Sequence, residues 1–219
     1  MCDDIVGGGR LICEPCRLRL HLLKEPLCKK CGKPLSSIEA EYCPDCKRKK
    51  HLYTRGRAAL EYDSVMRESI SRFKYKNRRE YGDFYVQELI ESCGRAVQSW
   101  NIDLIIPIPL HKSRRRKRGF NQAELIAKKL GRKLKIPVSS DTLLRTKKTR
   151  PQKELNEQDR KSNLKNAFAV TQNDIKSKKI LLIDDIYTTG STLDAAASVL
   201  LEHGAEKVYF LSISIGRGY

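Results

Sequence analysis

A β-prone apolar run, Ile180 to Ile183, ends in two adjacent carboxylates, Asp184 and Asp185. Thr188-Thr189-Gly190-Ser191-Thr192 follows, and then a helical pattern from Leu193 to Leu201. Strand, turn and helix in this order place a helix N-terminus beside the end of a buried strand, where backbone N–H groups and the helix dipole can hold a phosphate. The two carboxylates would repel that phosphate. They suit vicinal hydroxyls, a cation, or positive charge developing on a sugar. A phosphate on one side and hydroxyls on the other describe a ribose 5-phosphate. An ordinary capped helix would explain the threonines and the serine, but not paired acids at the end of a buried strand.

The neighbouring sequence predicts an α/β domain around this element. Ala58 to Tyr62 reads as a short strand. Ser64 to Tyr75 has helical spacing, with Val65, Met66, Ile70 and Phe73 on one side, and Tyr81 to Trp100 is a second helix. Ile102 to Leu110 is a buried strand that empties into a loop at Pro107 and Pro109. Asn121 to Leu130 is a helix, and Phe168 to Val170 and Val208 to Ser214 are further strands. Alternating strands and helices imply a parallel sheet flanked by helices, with ligands at the carboxyl ends of its strands.

The first quarter of the chain has a different character. Six of the eight cysteines form three Cys-x-x-Cys pairs: Cys13/Cys16, Cys28/Cys31 and Cys43/Cys46. Such spacing, without a secretory signal, points to a metal rather than to disulfides. Two tight turns, each giving two thiolates, complete a tetrahedral zinc site, and Cys28, Cys31, Cys43 and Cys46 are the expected ligands. Gly32, just after Cys31, lets the backbone turn, and Lys29, Lys30, Lys47 and Arg48 offset the thiolate charge. For Cys13 and Cys16 only Cys2 is near, because position 5 is Ile5. An irregular site with Asp3, Asp4 or His21, or a site that holds no metal, both remain open. Cys93 reads as a small core residue. The expected organisation is a cysteine-rich zinc ribbon over residues 1–50, stabilised by its metal, and an α/β domain over residues 51–219, with Lys47 to Arg57 as the connector.

Charge sets the class of partner. The 219 residues carry a formal net charge of +18, and the cations are clustered, which favours a polyanion such as nucleic acid. His111 to Phe120 is expected to be a loop with six cations and no acid. Gly119 there permits close backbone approach, and Asn121 caps the next helix. The loop would neutralise a diphosphate or grip a nucleic-acid backbone. Arg145 to Phe168 is polar and basic, as in a lid that keeps water from a reactive sugar phosphate. Arg72 to Tyr81 interleaves cations and aromatics in the manner of single-strand binders, although Phe73 and Tyr75 fit the buried side of a helix better. No apolar run reaches the ~20 residues needed to span a bilayer, and the N-terminus lacks a signal-peptide pattern. A cytoplasmic location is expected.

Taken together, these motifs resemble the ComF family of competence-associated proteins. The resemblance rests on the cysteine knuckles, Phe73-Lys74-Tyr75-Lys76, Pro107 to Leu110 with Arg118-Gly119-Phe120-Asn121-Gln122, Arg145 with Thr149 and Gln152, Arg160 with Asn163, Asn166, Ala167 and Phe168, and the Asp184 to Thr192 loop. It implies a type I phosphoribosyltransferase fold behind a zinc ribbon, acting on incoming single-stranded DNA. It also implies that phosphoribosyl diphosphate (PRPP) is bound with Mg²⁺. Asp184 and Asp185 would be catalytic and hold the ribose. Thr188, Thr189, Gly190, Ser191 and Thr192 would hold the 5-phosphate, with Lys112 and Arg118 on the diphosphate. A competence helicase or another DNA-uptake protein is a further expected partner. The phosphoribosyl acceptor is not legible.

Overall fold

A computed structural model describes residues 7–146, 167–171 and 175–216. Two short helices, α1 (Glu14–Leu18) and α2 (Pro44–Arg48), belong to the cysteine-rich part. The elements after them are β1 (Arg55–Glu61), α3 (Ser64–Tyr75), α4 (Tyr81–Trp100), β2 (Leu104–Pro107), α5 (Lys112–Arg118) and α6 (Gln122–Leu134). The chain then continues through β3 (Leu143–Arg145), β4 (Phe168–Val170), β5 (Lys179–Tyr187), α7 (Ser191–Glu202) and β6 (Lys207–Ile215).

Four strands form a fully parallel sheet in the order β1-β6-β5-β2. Its centre is β5, whose Ile180, Leu181, Leu182 and Ile183 are all fully buried. Ile180 and Leu182 join the core under α7, while Leu181 and Ile183 join the core under α3, α4 and α6. Burial on both faces is why this run is apolar throughout instead of alternating.

Several elements differ from the sequence reading. The β5 ladder runs four residues past Ile183, pairing Asp184 with Ser212, Ile186 with Ser214 and Tyr187 with Ile215. The acids therefore lie within the strand's last turn of pairing and not beyond it. Phe168–Val170 is absent from the main sheet and pairs antiparallel with Leu143–Arg145. Most of the basic stretch expected to be a loop is helix α5, opened by His111, whose Nδ1 accepts the Ser113 N–H, and closed by Gly119 in the left-handed region. Gly119 serves that helix end and not close approach, since a Cβ there would meet only Arg79 at 3.8 Å. Tyr75 is 57% exposed, while Phe73 is buried. Asn121 does cap α6: its Oδ1 accepts the Ala123 N–H, and its Nδ2 donates to the Ile108 carbonyl. Cys93 is a buried core residue.

The cysteine-rich part packs against the α/β part. Cys28, Cys31 and Cys43 share one buried core with Tyr53, Tyr187, Leu193 and Phe210. Arg17 of α1 forms an ion pair with the buried Glu88 of α4. The Lys47–Arg57 connector is likewise pinned, because Gly56 donates to the Lys30 carbonyl and Thr54 to that of Val208. Among the described residues no helix is long and apolar enough to cross a membrane.

Candidate functional site

A cleft of about 560 Å³ opens at the carboxyl end of β5, where the parallel sheet directs a ligand. Asp184, Asp185, Thr188 and Thr192 line it from β5 and its loop. Lys74 reaches it from α3, Arg114 and Arg118 from α5, and Arg145 from β3. Lys74 Nζ lies 2.6 Å from Asp185 Oδ2. Asp184 Oδ1 accepts the backbone N–H of Asp185 at 2.8 Å. Burial, and then the Asp185 charge, raises the Asp184 carboxyl to about 7, against the pull of the Asp185 N–H, Lys74 and Arg145. Burial lowers the Arg145 guanidinium, as does Arg114, while Asp184 supports its charge. Arg145 also lies over the Phe168 ring at 5.4 Å.

The loop after the acids is built to present backbone. Gly190, at φ 75°, stands where a helix cap belongs, so no cap side chain takes the first N–H groups of α7. Thr189 Oγ1 and Ser191 Oγ are 3.0 Å apart. A side chain at position 190 would collide with its surroundings: a Cβ would sit 2.8 Å from Tyr187 Oη and 3.0 Å from His51 Cε1. One turn into α7, Asp194 accepts from His51 Nδ1 (2.9 Å), Lys49 Nζ (2.7 Å) and the Leu52 N–H (3.0 Å). Burial alone would raise the Asp194 carboxyl, but His51 and Lys49 hold it below its ordinary value.

The anticipated residues are thus unevenly distributed. Asp184, Asp185, Thr188, Thr192 and Arg118 line one cleft. Thr189, Gly190 and Ser191 complete the adjoining loop. Lys112 is exposed at the start of α5, outside the lining. Four cations join the cleft that were not singled out for it: Arg67, Lys74, Arg114 and Arg145. Lys74 carried a readable signal. It lies four residues beyond Ile70 on the stripe of α3 that buries Met66, Ile70 and Phe73, and a lysine extending a buried stripe calls for a carboxylate partner. Arg145 reaches the cleft through the β3–β4 pairing, which three-residue strands do not announce. Of the expected lid, residues 147–166 lie outside the described residues.

The cleft continues outward. Arg67, Ser71 and Tyr75 line it and also line a second groove of about 790 Å³ along α3, with Arg72, Lys76 and Arg78. Arg118 covers the exposed Tyr75 ring at 4.9 Å and donates to its hydroxyl.

A second centre lies on the other side of the loop. The sulfurs of Cys28, Cys31, Cys43 and Cys46 all fall within 4.8 Å of one another, and those of Cys31 and Cys43 are 3.6 Å apart. Four sulfurs at ~2.3 Å from a central ion would have this spacing, so the set fits tetrahedral zinc. Gly32 turns the first knuckle at φ 80°. Lys33, itself buried, bridges the knuckles through Asp45 at 2.6 Å. Cys13 and Cys16 repeat the turn of Cys43 and Cys46. Each pair opens a five-residue helix with an extended first cysteine, a proline in the first turn, and a bond from the residue after the second cysteine to the first cysteine's carbonyl. His21 is engaged elsewhere, 2.6 Å from Asp63 of the α3 cap. Cys2, Asp3 and Asp4 lie outside the described residues.

Both parts of the chain match known families. Residues 1–47 match the double zinc ribbon domain family, and residues 86–213 match the phosphoribosyl transferase domain family. Competence protein F of Haemophilus influenzae is 32% identical over 90% of this chain and 93% of its own length. Competence protein ComFC of Bacillus subtilis is 32% identical over 88% of this chain and 79% of its own. DNA utilization protein YhgH of Escherichia coli K12 is 30% identical over 90% and 87%. The chain belongs to the ComF family of proteins, which join a zinc ribbon to a phosphoribosyl transferase domain.

Proposed function

We propose that this protein binds PRPP and transfers its phosphoribosyl group to an acceptor during the handling of incoming single-stranded DNA. The carrying observation is the juxtaposition, in one cleft lined by cations, of paired carboxylates and a helix N-terminus that no side chain caps. Thr188–Thr192 would hold the 5-phosphate through backbone N–H groups and hydroxyls. Asp184 and Asp185 would bind the ribose hydroxyls and stabilise the positive charge that grows at the anomeric carbon as its bond to diphosphate breaks. Arg118 and Arg114 would steady the departing diphosphate, with Lys112 adding to the field at the start of α5. Arg145 would reinforce them from β3.

Magnesium fits this donor set. Asp184 is a carboxyl that burial and Asp185 drive towards protonation, and a divalent cation nearby would keep it ionised. Mg²⁺ bound mainly by substrate oxygens would supply charge neutralisation at the diphosphate. The zinc would be structural.

The groove along α3 supports an acceptor that is extended and anionic, because it leads out of the cleft past Arg67, Tyr75 and Lys76. The names of the relatives suggest DNA uptake as the setting. A cytoplasmic site of action beside a competence helicase or another uptake protein, reached through the zinc ribbon, follows from the same reading. A second reading, in which the protein is a single-strand binder and PRPP only regulates it, is favoured by α5, whose six cations include no acid. Diphosphate release from PRPP and Mg²⁺, with and without single-stranded DNA, separates the two. Transfer predicts release that depends on an acceptor and disappears in the folded Asp184→Asn/Asp185→Asn double variant. Tight binding without release by any acceptor supports the regulatory reading. Wild-type release by the double variant refutes the catalytic assignment.

A further inference from the structure

Both ends of the Thr188–Thr192 loop are fastened to one short segment, residues 49–53, that leaves the zinc ribbon. At the entrance, Tyr187 Oη and Tyr53 Oη are 2.7 Å apart and buried. Tyr187 stacks on Phe210 at 4.9 Å, and Tyr53 meets the same ring edge-on at 4.9 Å. At the exit, Asp194 accepts from Lys49, His51 and the Leu52 backbone, while its own N–H donates to the Gly190 carbonyl. Between the two ends, the His51 ring stacks on Tyr53 at 4.8 Å. The ring faces the side on which a residue at position 190 would carry its side chain, where a Cβ would come within 3.0 Å of His51 Cε1 and 2.8 Å of Tyr187 Oη. The His51 side chain is fully buried, and its Nε2 has no hydrogen-bond partner. With Nδ1–H on Asp194, the ring is held by one strong bond and by packing alone.

The cysteine knuckles bear on the same pair of tyrosines. Lys30, between Cys28 and Cys31, places its ammonium 5.4 Å from the Tyr53 ring centre. Lys33 lies 5.9 Å from that of Tyr187 while paired with Asp45, between Cys43 and Cys46. A chain of packed groups thus runs from the four sulfurs through Tyr53 and His51 to the loop.

We infer that Tyr53 and His51 are positioning residues for the phosphate loop, through which the zinc ribbon sets the loop's geometry and the loop's occupancy is felt at the zinc. The inference rests on the phosphoribosyl reading of the loop. Neither residue lines the cleft; each would act through Tyr187, Gly190 or Asp194. Coupling between two binding sites is reciprocal. If ordered knuckles favour PRPP at the loop, PRPP at the loop must retain zinc at the knuckles.

The test uses the full-length zinc-loaded protein and three variants: Tyr53→Phe, which keeps the ring; His51→Asn, which keeps a donor for Asp194; and His51→Leu, which does not. Amide exchange, PRPP–Mg²⁺ affinity and the rate of zinc transfer to a chelating dye are measured for each. In Tyr53→Phe and His51→Leu, peptides over residues 187–195 should exchange at least about fivefold faster, with α4 and β2 peptides unchanged, and PRPP affinity should fall by about the same factor. His51→Asn should retain most of the wild-type protection. Saturating PRPP should slow zinc transfer from the wild type at least about fivefold and lose that effect in Tyr53→Phe. Wild-type exchange over 187–195 in both disruptive variants overturns the inference, as does an acceleration spread evenly over the sheet. If the wild type fails to bind PRPP, the phosphoribosyl reading falls, and the exchange pattern still decides whether these residues hold the loop.

Discussion

Replacing Asp184 by asparagine should stabilise the ligand-free protein while destroying its site. The Asp184 carboxyl is raised from 3.8 to about 7 by burial and by Asp185, despite the Asp185 N–H, Lys74 and Arg145. Between those values the native state binds more protons than the unfolded chain. Native stability therefore falls as pH rises through this window, and the full penalty stands above pH ~7. Each step in pKa corresponds to about 1.4 kcal/mol, which sets an upper limit near 4 kcal/mol. Part of Asp184 remains open to cleft water, and screening there reduces the expected gain to about 2 kcal/mol. Asparagine keeps an oxygen to accept the Asp185 N–H and removes the charge. Urea unfolding of both proteins in their zinc-loaded form, from pH 5 to pH 8, measures the difference directly. It should be about a third of its full size at pH ~5, grow with pH and level off above pH ~7. A variant less stable than wild type at pH 8, or a difference that does not change with pH, would refute the reasoning.

Three further outcomes follow from the same geometry. Stripping zinc with a chelator should lower the melting temperature of the whole protein, because three of the four cysteines share a core with Tyr187 and Phe210; a calorimetric scan in which only a minor early transition moves would contradict this. Gly190→Ala should lose about 1–3 kcal/mol in denaturant unfolding and weaken PRPP binding, since φ is 75° and the new methyl would sit 2.8 Å from Tyr187 Oη. Single-stranded DNA affinity should fall steeply with salt, and Arg116→Ala/Lys117→Ala should reduce the slope of log K against log salt by about 1.4, read by fluorescence anisotropy.

The parts of this fold that were legible are those where local signals agree. α3 and α4 begin and end where their periodicity does, and Asp63 caps α3 by accepting the Met66 N–H. The acid pair and the loop after it were readable because charge at the end of a buried run has few explanations. α5 was not, because a helix with six cations and no apolar residue has no stripe to read; its position against the cleft is set by tertiary packing. The placement of β4 depends on a partner twenty-three residues upstream of its first residue, Phe168, at Arg145, a pairing that neither strand's sequence specifies. Polarity also misled the boundary of β5, since hydrogen bonding to β6 continues through Asp184 and Ile186. The union of the zinc ribbon with the loop was hidden for a related reason. Tyr53 and Tyr187 are 134 residues apart, and nothing local marks either as the other's partner.

The central claim is that the Asp184–Thr192 element binds a phosphoribosyl group. Calorimetric titration of the zinc-loaded protein with PRPP and Mg²⁺, repeated on the Asp184→Asn/Asp185→Asn variant, tests it most directly. The account predicts saturable binding by the wild type that the folded double variant has lost. A folded wild type that takes up no PRPP, or a double variant that binds it equally well, would contradict the account.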